Sequence, residues 1–142
     1  MYFAAPRRLK MIIETVEQFV KRKEANFSKQ SLVRTKGINR KGVYFWRREA
    51  WTFMPQGNYA EKVFIIERLR KDSYEGILDR KNWGKGDVEY RIGYYIVGKI
   101  GRANGRWVWG QFCPLIPAED FIKLLEKAKE EGTIKINGKE TK

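Results

Sequence analysis

Catalysis in this 142-residue chain has few groups to draw on: it holds no histidine and a single cysteine, Cys113. The missing imidazole removes Ser-His and Cys-His nucleophile pairs, histidine acid–base chemistry and nearly every structural zinc site. The lone cysteine removes an intrachain disulfide. In Phe112-Cys113-Pro114 it reads as a small buried hydrophobe at a strand end rather than a nucleophile. What remains is Mg²⁺ held by carboxylate oxygens. A nuclease of the restriction-enzyme type needs an acid on one strand, then an acid and a lysine two apart on the next. Asp79 with Glu89-x-Arg91 approximates this, and Glu67 or Glu14 could complete it if the fold brought them near. Arg91 stands where lysine is needed, and a guanidinium does not give up its proton near neutrality. Cross-strand ion pairing explains Glu89-x-Arg91 equally well. The residue inventory therefore argues against an enzyme and calls for no cofactor, with a Mg²⁺-dependent nuclease as the catalytic alternative.

Binding chemistry is better represented. Thirty Lys and Arg stand against seventeen Asp and Glu, a formal charge of +13. Between Lys21 and Arg48 there are ten basic residues and one acid, Glu24. Charge concentrated in this way marks a footprint for a polyanion, nucleic acid before an acidic protein or an anionic membrane. Arg34, Lys36, Arg40, Lys41, Arg47 and Arg48 are the expected phosphate contacts. Gly37 and Gly42 bracket Ile38-Asn39-Arg40-Lys41, a loop whose backbone could approach a phosphate closely. It lacks the strand–glycine-rich–helix context of a P-loop. Arg102 and Arg106 would extend the patch if the loop that carries them lay beside it.

Tryptophans interleave with these cations. Trp46 precedes Arg47 and Arg48, Trp83 lies between Lys81 and Lys85, and Trp107 follows Arg106. A flat ring beside a cation offers a stacking surface to an unpaired base, worth about 1–3 kcal/mol per base. Barrels of the oligonucleotide-binding and PUA-like kinds combine these features on one face, an analogy of architecture alone. The competing reading makes each tryptophan core or rim, covered by Lys and Arg stems. An aromatic cage for a methylated ammonium could draw on Tyr44, Tyr90, Tyr94 and Tyr95, but the net charge repels basic tails. A module that inhibits or assembles with an acidic protein partner is the non-nucleic-acid alternative.

The elements that must position these residues follow from periodicity. Leu9, Ile12, Ile13, Val16, Phe19 and Val20 recur at helical spacing after Pro6, predicting a helix over about 6–24. Ser28 could cap a short helix reaching Thr35. Val43–Arg48 and Lys62–Arg70 read as strands around the turn Pro55-Gln56-Gly57-Asn58, with Asp72–Gly76 the next turn and Gly76–Asp79 a short returning strand. The organising element is a hairpin. Val88, Tyr90, Ile92, Tyr94, Ile96, Gly98 and Ile100 alternate, and Asn104-Gly105 suits a type I′ turn. That turn pairs Ala103 with Arg106, Arg102 with Trp107, Ile100 with Trp109 and Gly98 with Gln111, placing Trp109 in the core and Trp107 near the loop. A second helix runs over about 117–131 with Gly132 beyond its end, and Thr133–Ile136 could add an edge strand.

These readings give one α+β domain over 1–142: a strongly bent antiparallel sheet or partial β-barrel over about 42–116, flanked by an N-terminal and a C-terminal helix. MYFAAPRRLK lacks the apolar run of a signal peptide, and no stretch is long enough to cross a bilayer. The expectation is a soluble cytoplasmic protein that binds DNA or RNA without cutting it.

Overall fold

Seven consecutive residues, Val63–Leu69, are buried, so the strand that contains them must be covered on both faces. It is β3 (Tyr59–Glu75), the middle of an antiparallel meander β1 (Leu32–Thr35), β2 (Val43–Gln56), β3, β4 (Val88–Val97) and β5 (Trp107–Trp109). The sheet is curled into a half-barrel, with α1 (Val16–Lys29) preceding it and α2 (Ala118–Glu130) following. The computed structural model describes residues 13–77 and 83–135, in which this is a single α+β domain. No helix among the described residues is long and apolar enough to cross a membrane.

Each helix covers one face. On one side Phe19 and Phe27 of α1 pack on Phe53, Val63, Ile65, Tyr95, Val97 and Trp107. On the other, Leu124 and Ala128 of α2 pack on Phe64 and Ile66. Alternation along β3 sends odd-numbered residues from Val63 to Leu69 to α1 and even-numbered ones to α2. Helix α1 begins with a capping box: the Thr15 hydroxyl accepts from the Gln18 N–H, and the Gln18 side chain accepts from the Thr15 N–H. It runs past the expected end at 24 to Lys29; residues 6–12 lie outside the described residues. Ser28 is no cap but an interior residue whose hydroxyl donates to the Glu24 carbonyl at 2.9 Å. The helix expected to follow it is instead β1, zipped to β2 through Leu32↔Arg47 and Val33↔Trp46. Helix α2 matches its expected span, and Gly132 at φ 78° closes it. The Thr133 and Ile134 N–H groups donate to the Ala128 carbonyl rather than joining a strand. The Asp120 carboxylate accepts the Gly57 N–H at 2.9 Å, tying α2 to the β2–β3 turn.

Two strand expectations change. Asp72–Glu75 is not a turn: β3 continues through it, paired with Val43–Phe45, and the mismatch is absorbed as a register shift between Phe45 and Trp46. Gly76 bends at φ 83° and Ile77 is outside any strand, while the rest of the expected strand lies outside the described residues. The β4–β5 connection also differs. The observed register is Tyr95↔Trp109 and Val97↔Trp107, five residues from the expected one. A 3₁₀ turn at Gly101–Ala103 takes up residues that the two-residue hairpin assigned to strands. Trp107 is therefore the core residue, stacked on Phe19 at 4.8 Å, and Trp109 the rim residue, 38% exposed. Cys113, beyond the end of β5, is exposed rather than buried.

The turn itself is type II. Arg106 N–H reaches the Ala103 carbonyl at 3.0 Å, with Asn104 at φ −57°, ψ 122° and Gly105 at φ 75°. Only the glycine needs the left-handed region. Gly105→Ala should therefore cost about 1 kcal/mol or more, and Asn104→Ala less than about 0.5 kcal/mol, as read from urea midpoints. Equal losses at both positions would contradict the type II geometry.

Candidate nucleic-acid interface

On the α1 side of the sheet, the helix leaves the end near β1 uncovered. Strand alternation brings Val33 and Thr35 of β1, Tyr44 and Trp46 of β2, and Leu69 and Lys71 of β3 to that face. Trp83, on the approach to β4, packs over Val33, Trp46 and Leu69. Its ring lies 4.6 Å from that of Tyr44 and 5.0 Å from that of Trp46, edge-on to the latter at 76°. The Trp46 Nε1–H donates to the Thr35 hydroxyl at 2.8 Å, which fixes that ring. Lys71 Nζ stands 4.9 Å from the Trp83 ring centroid. Around these groups lies a cavity of about 350 Å³, lined by Thr35, Lys36, Gly37, Arg40, Tyr44, Trp46 and Trp83. The Trp83 Nε1–H is buried and meets no acceptor among the described residues.

The loop that brings the cations here is held by its own backbone. Arg40 N–H donates to the Gly37 carbonyl at 3.2 Å, and Asn39 takes the left-handed conformation at φ 57°, which asparagine tolerates. Gly42 serves packing: a Cβ there would meet the Ile77 carbonyl oxygen at 2.4 Å. Lys36, Arg40 and Lys41 are exposed, and no ion pair holds them among the described residues.

The other expected contacts disperse. Arg34 and Arg47 alternate with Val33 and Trp46 and so point to the opposite face, where Arg47 pairs with Asp72 at 3.1 Å. Arg48 is interior: it donates to Glu67 at 2.8 Å and lies 3.6 Å from the Phe27 ring centroid. Arg102 and Arg106 belong to the β4–β5 connection, at the other end of the strands. About a dozen residues of β3, roughly 40 Å of strand, separate them from the cavity, so they do not extend this patch. Trp107, in the core, offers no ring to a ligand. Of the expected cage, Tyr44 alone lines the cavity: Tyr95 is in the α1 core, and Tyr90 and Tyr94 alternate to the α2 face.

The nuclease pattern fares differently. Asp79 lies outside the described residues. Glu89 faces Lys71 at 3.6 Å, and Arg91 donates to Glu67 at 2.5 Å. Among the described residues no three or more Asp, Glu or Cys side chains gather where a metal ion could be held. Sequence reasoning missed Thr35 and placed Tyr44 in a cage rather than beside the cations, although Tyr44 shares strand parity with Trp46 in Val43-Tyr44-Phe45-Trp46.

No protein-family model, curated protein or solved structure matches the chain.

Between the cavity and the α1 core sits Glu67, fully buried, accepting from Arg48 on one side and Arg91 on the other. Close by, burial pushes the Lys23 ammonium down, reinforced by Arg22 and Arg48. Burial, then the charge of Glu67, pushes the Tyr95 phenol up to about 12. Glu67→Ala strands two guanidiniums and should cost about 3 kcal/mol, measured as a lower urea midpoint at unchanged m. A loss below about 1 kcal/mol would mean that the pair contributes little. Unfolded tyrosine ionises near 10, so folded Tyr95 keeps its proton where the unfolded chain loses it. The native state then binds more protons, and stability falls as pH rises from about 10 through about 12. Lys23 acts with the opposite sign. Tyr95→Phe should flatten the alkaline fall in denaturation midpoint; an unchanged slope would show that Tyr95 does not drive it.

Proposed function

We propose that this protein binds nucleic acid without cleaving it, using the open end of the α1 face to take an unpaired stretch of strand. The observation that carries this reading is the convergence at one cavity of Tyr44, Trp46 and Trp83 with Lys36 and Arg40. Two kinds of group that a single strand requires, aromatic rings for bases and cations with no ion-pair partner among the described residues for phosphates, arrive there from three separate segments. Lys41 adds a third cation beside it. An acidic protein would meet the same cations by electrostatic steering, but the aromatic wall gives this surface more to offer a base than a carboxylate.

Arg34 faces the opposite side of β1 and the Arg102–Arg106 loop lies at the other end of the strands, and neither lines the cavity. They would serve a longer strand, or none.

Arg40→Glu combined with Lys41→Glu should weaken binding to a labelled single strand at least tenfold. It should also flatten the slope of log K against log salt by about 1.4, since each lost phosphate contact on a single strand contributes about 0.7. The melting temperature should hardly change, because neither side chain is buried or ion-paired among the described residues. Fluorescence anisotropy at several salt concentrations, with Mg²⁺ present and gels run for strand breaks, reads all three. Unchanged affinity would remove this loop from the interface; strand cleavage abolished by a chelator would remove the non-catalytic reading.

A further inference from the structure

We infer that the α2 face carries a second binding site, for a phosphate group, at a cavity where Arg68, Arg70, Tyr90 and Lys135 meet. It lies across the sheet from the aromatic cavity and does not depend on the nucleic-acid reading. Strand alternation turns Arg68 and Arg70 of β3 and Tyr90 of β4 to the α2 face, with Arg68 and Tyr90 in register. Lys135 returns to them from beyond α2, where its backbone N–H donates to the Tyr90 hydroxyl at 3.1 Å. The cavity measures about 500 Å³, within the small-ligand range of about 300–1,000 Å³.

Donors outnumber acceptors at this cavity. Arg68 is 3% exposed; its Nε donates to Glu49 at 2.7 Å and its Nη1 to the Tyr90 hydroxyl at 2.8 Å. Its Nη2 group has no acceptor among the described residues. Nor is that group sealed off: the fully buried side-chain polar atoms without a partner there are Gln56 Oε1 and Trp83 Nε1 alone. The Tyr90 oxygen accepts twice, from Arg68 and from Lys135, which leaves its own O–H to donate. Glu49 is shared, because Arg70 also holds it through Nε at 2.7 Å, so one carboxylate answers two guanidiniums. Lys135 adds a further cation to the lining. Asp87 is the one carboxylate in that lining, and its oxygen stands 3.9 Å from Lys71, a side chain of the α1 face. A buried guanidinium, a hydroxyl and surplus positive charge suit an oxyanion. A phosphate monoester has three terminal oxygens and a charge of about −1.5 to −2. It uses this donor set more fully than a carboxylate, with two oxygens and one charge.

The test titrates the full chain with inorganic phosphate, acetate and chloride by calorimetry at fixed ionic strength. Phosphate should bind with a Kd on the order of 1 mM or tighter, and acetate and chloride clearly more weakly. Tyr90→Phe and Lys135→Gln should each weaken phosphate binding about fivefold or more, while Arg40→Glu with Lys41→Glu should leave it unchanged. A labelled short strand with a 5′-phosphate or a 5′-hydroxyl then separates the sources. A 5′-phosphate gain that inorganic phosphate abolishes would support a strand end as the ligand. Equal binding of the two strands, or none, alongside tight inorganic phosphate would support a small phosphate compound. If phosphate binds no better than chloride, the site is wrong, and the proposed function at the other cavity is untouched. If acetate binds as well as phosphate, the selection of a phosphate is wrong. If phosphate binding survives both α2-face variants and is lost in the Arg40 and Lys41 variant, the anion belongs to the aromatic cavity and this inference falls. The comparison among anions uses the wild-type protein, so it holds even if Tyr90→Phe does not fold.

Discussion

A carboxylate with no solvent exposure must be surrounded by donors or the strand that carries it cannot sit in the middle of a sheet. Glu67 meets this condition through Arg48 on β2 and Arg91 on β4, the two strands that flank β3. One side chain thereby ties three adjacent strands together at mid-length. The Phe27 ring lies against the Arg48 guanidinium, so the end of α1 docks on the same group. Below this point the α1 face is a closed apolar core; above it, Trp46, Trp83 and Leu69 form a separate cluster. The ion pair is the boundary between a face filled by a helix and a face left open.

That boundary also sorts the charge. A similar arrangement on the other face has Glu49 bridging Arg68 and Arg70 at 2.7 Å each. Burial works against the Glu49 charge, but hydrogen bonds from Arg70 and Arg68 outweigh it and hold the carboxyl below its usual range. Arginines from the middle of the strands are thus paired inside the protein, where guanidinium and carboxylate match geometrically. Cations in the β1–β2 loop have no such partners among the described residues. At the β1–β2 loop, exposed cations from the surplus of +13 stand beside the cavity that the buried Tyr44 and Trp46 and the half-buried Trp83 line.

Much of the architecture was legible because it depends on local rules. The α2 stripe and its terminal Gly132, the Gly57-Asn58 turn and the strand character of β2, β3 and β4 follow from periodicity, capping and turn chemistry. Errors arose where a distant partner decided the outcome. Leu32–Thr35 is a strand because β2 presents an edge to pair with, and Val33 finds Trp46 across it. Asp72–Glu75 has the composition of a turn, yet β2 is long enough to pair with it.

The β4–β5 hairpin shows most clearly what sequence determines and what tertiary structure decides. Strand residues, a glycine turn at Gly105 and two tryptophans of like parity are all present in the sequence, together with the concentration of basic residues between Lys21 and Arg48. Which face of β4 is the more buried is not, because both faces carry apolar residues when helices cover a sheet on each side. Phe19 decides it by stacking on Trp107, and Gly93 admits the Trp109 ring, which approaches to 2.4 Å of where a Cβ would stand. The same holds for the cavity. Residue types suited to a strand of nucleic acid can be read directly, but their convergence depends on where α1 stops and on which arginines Glu67 draws inside. Those are long-range packing and desolvation choices, and a one-dimensional pattern does not contain them.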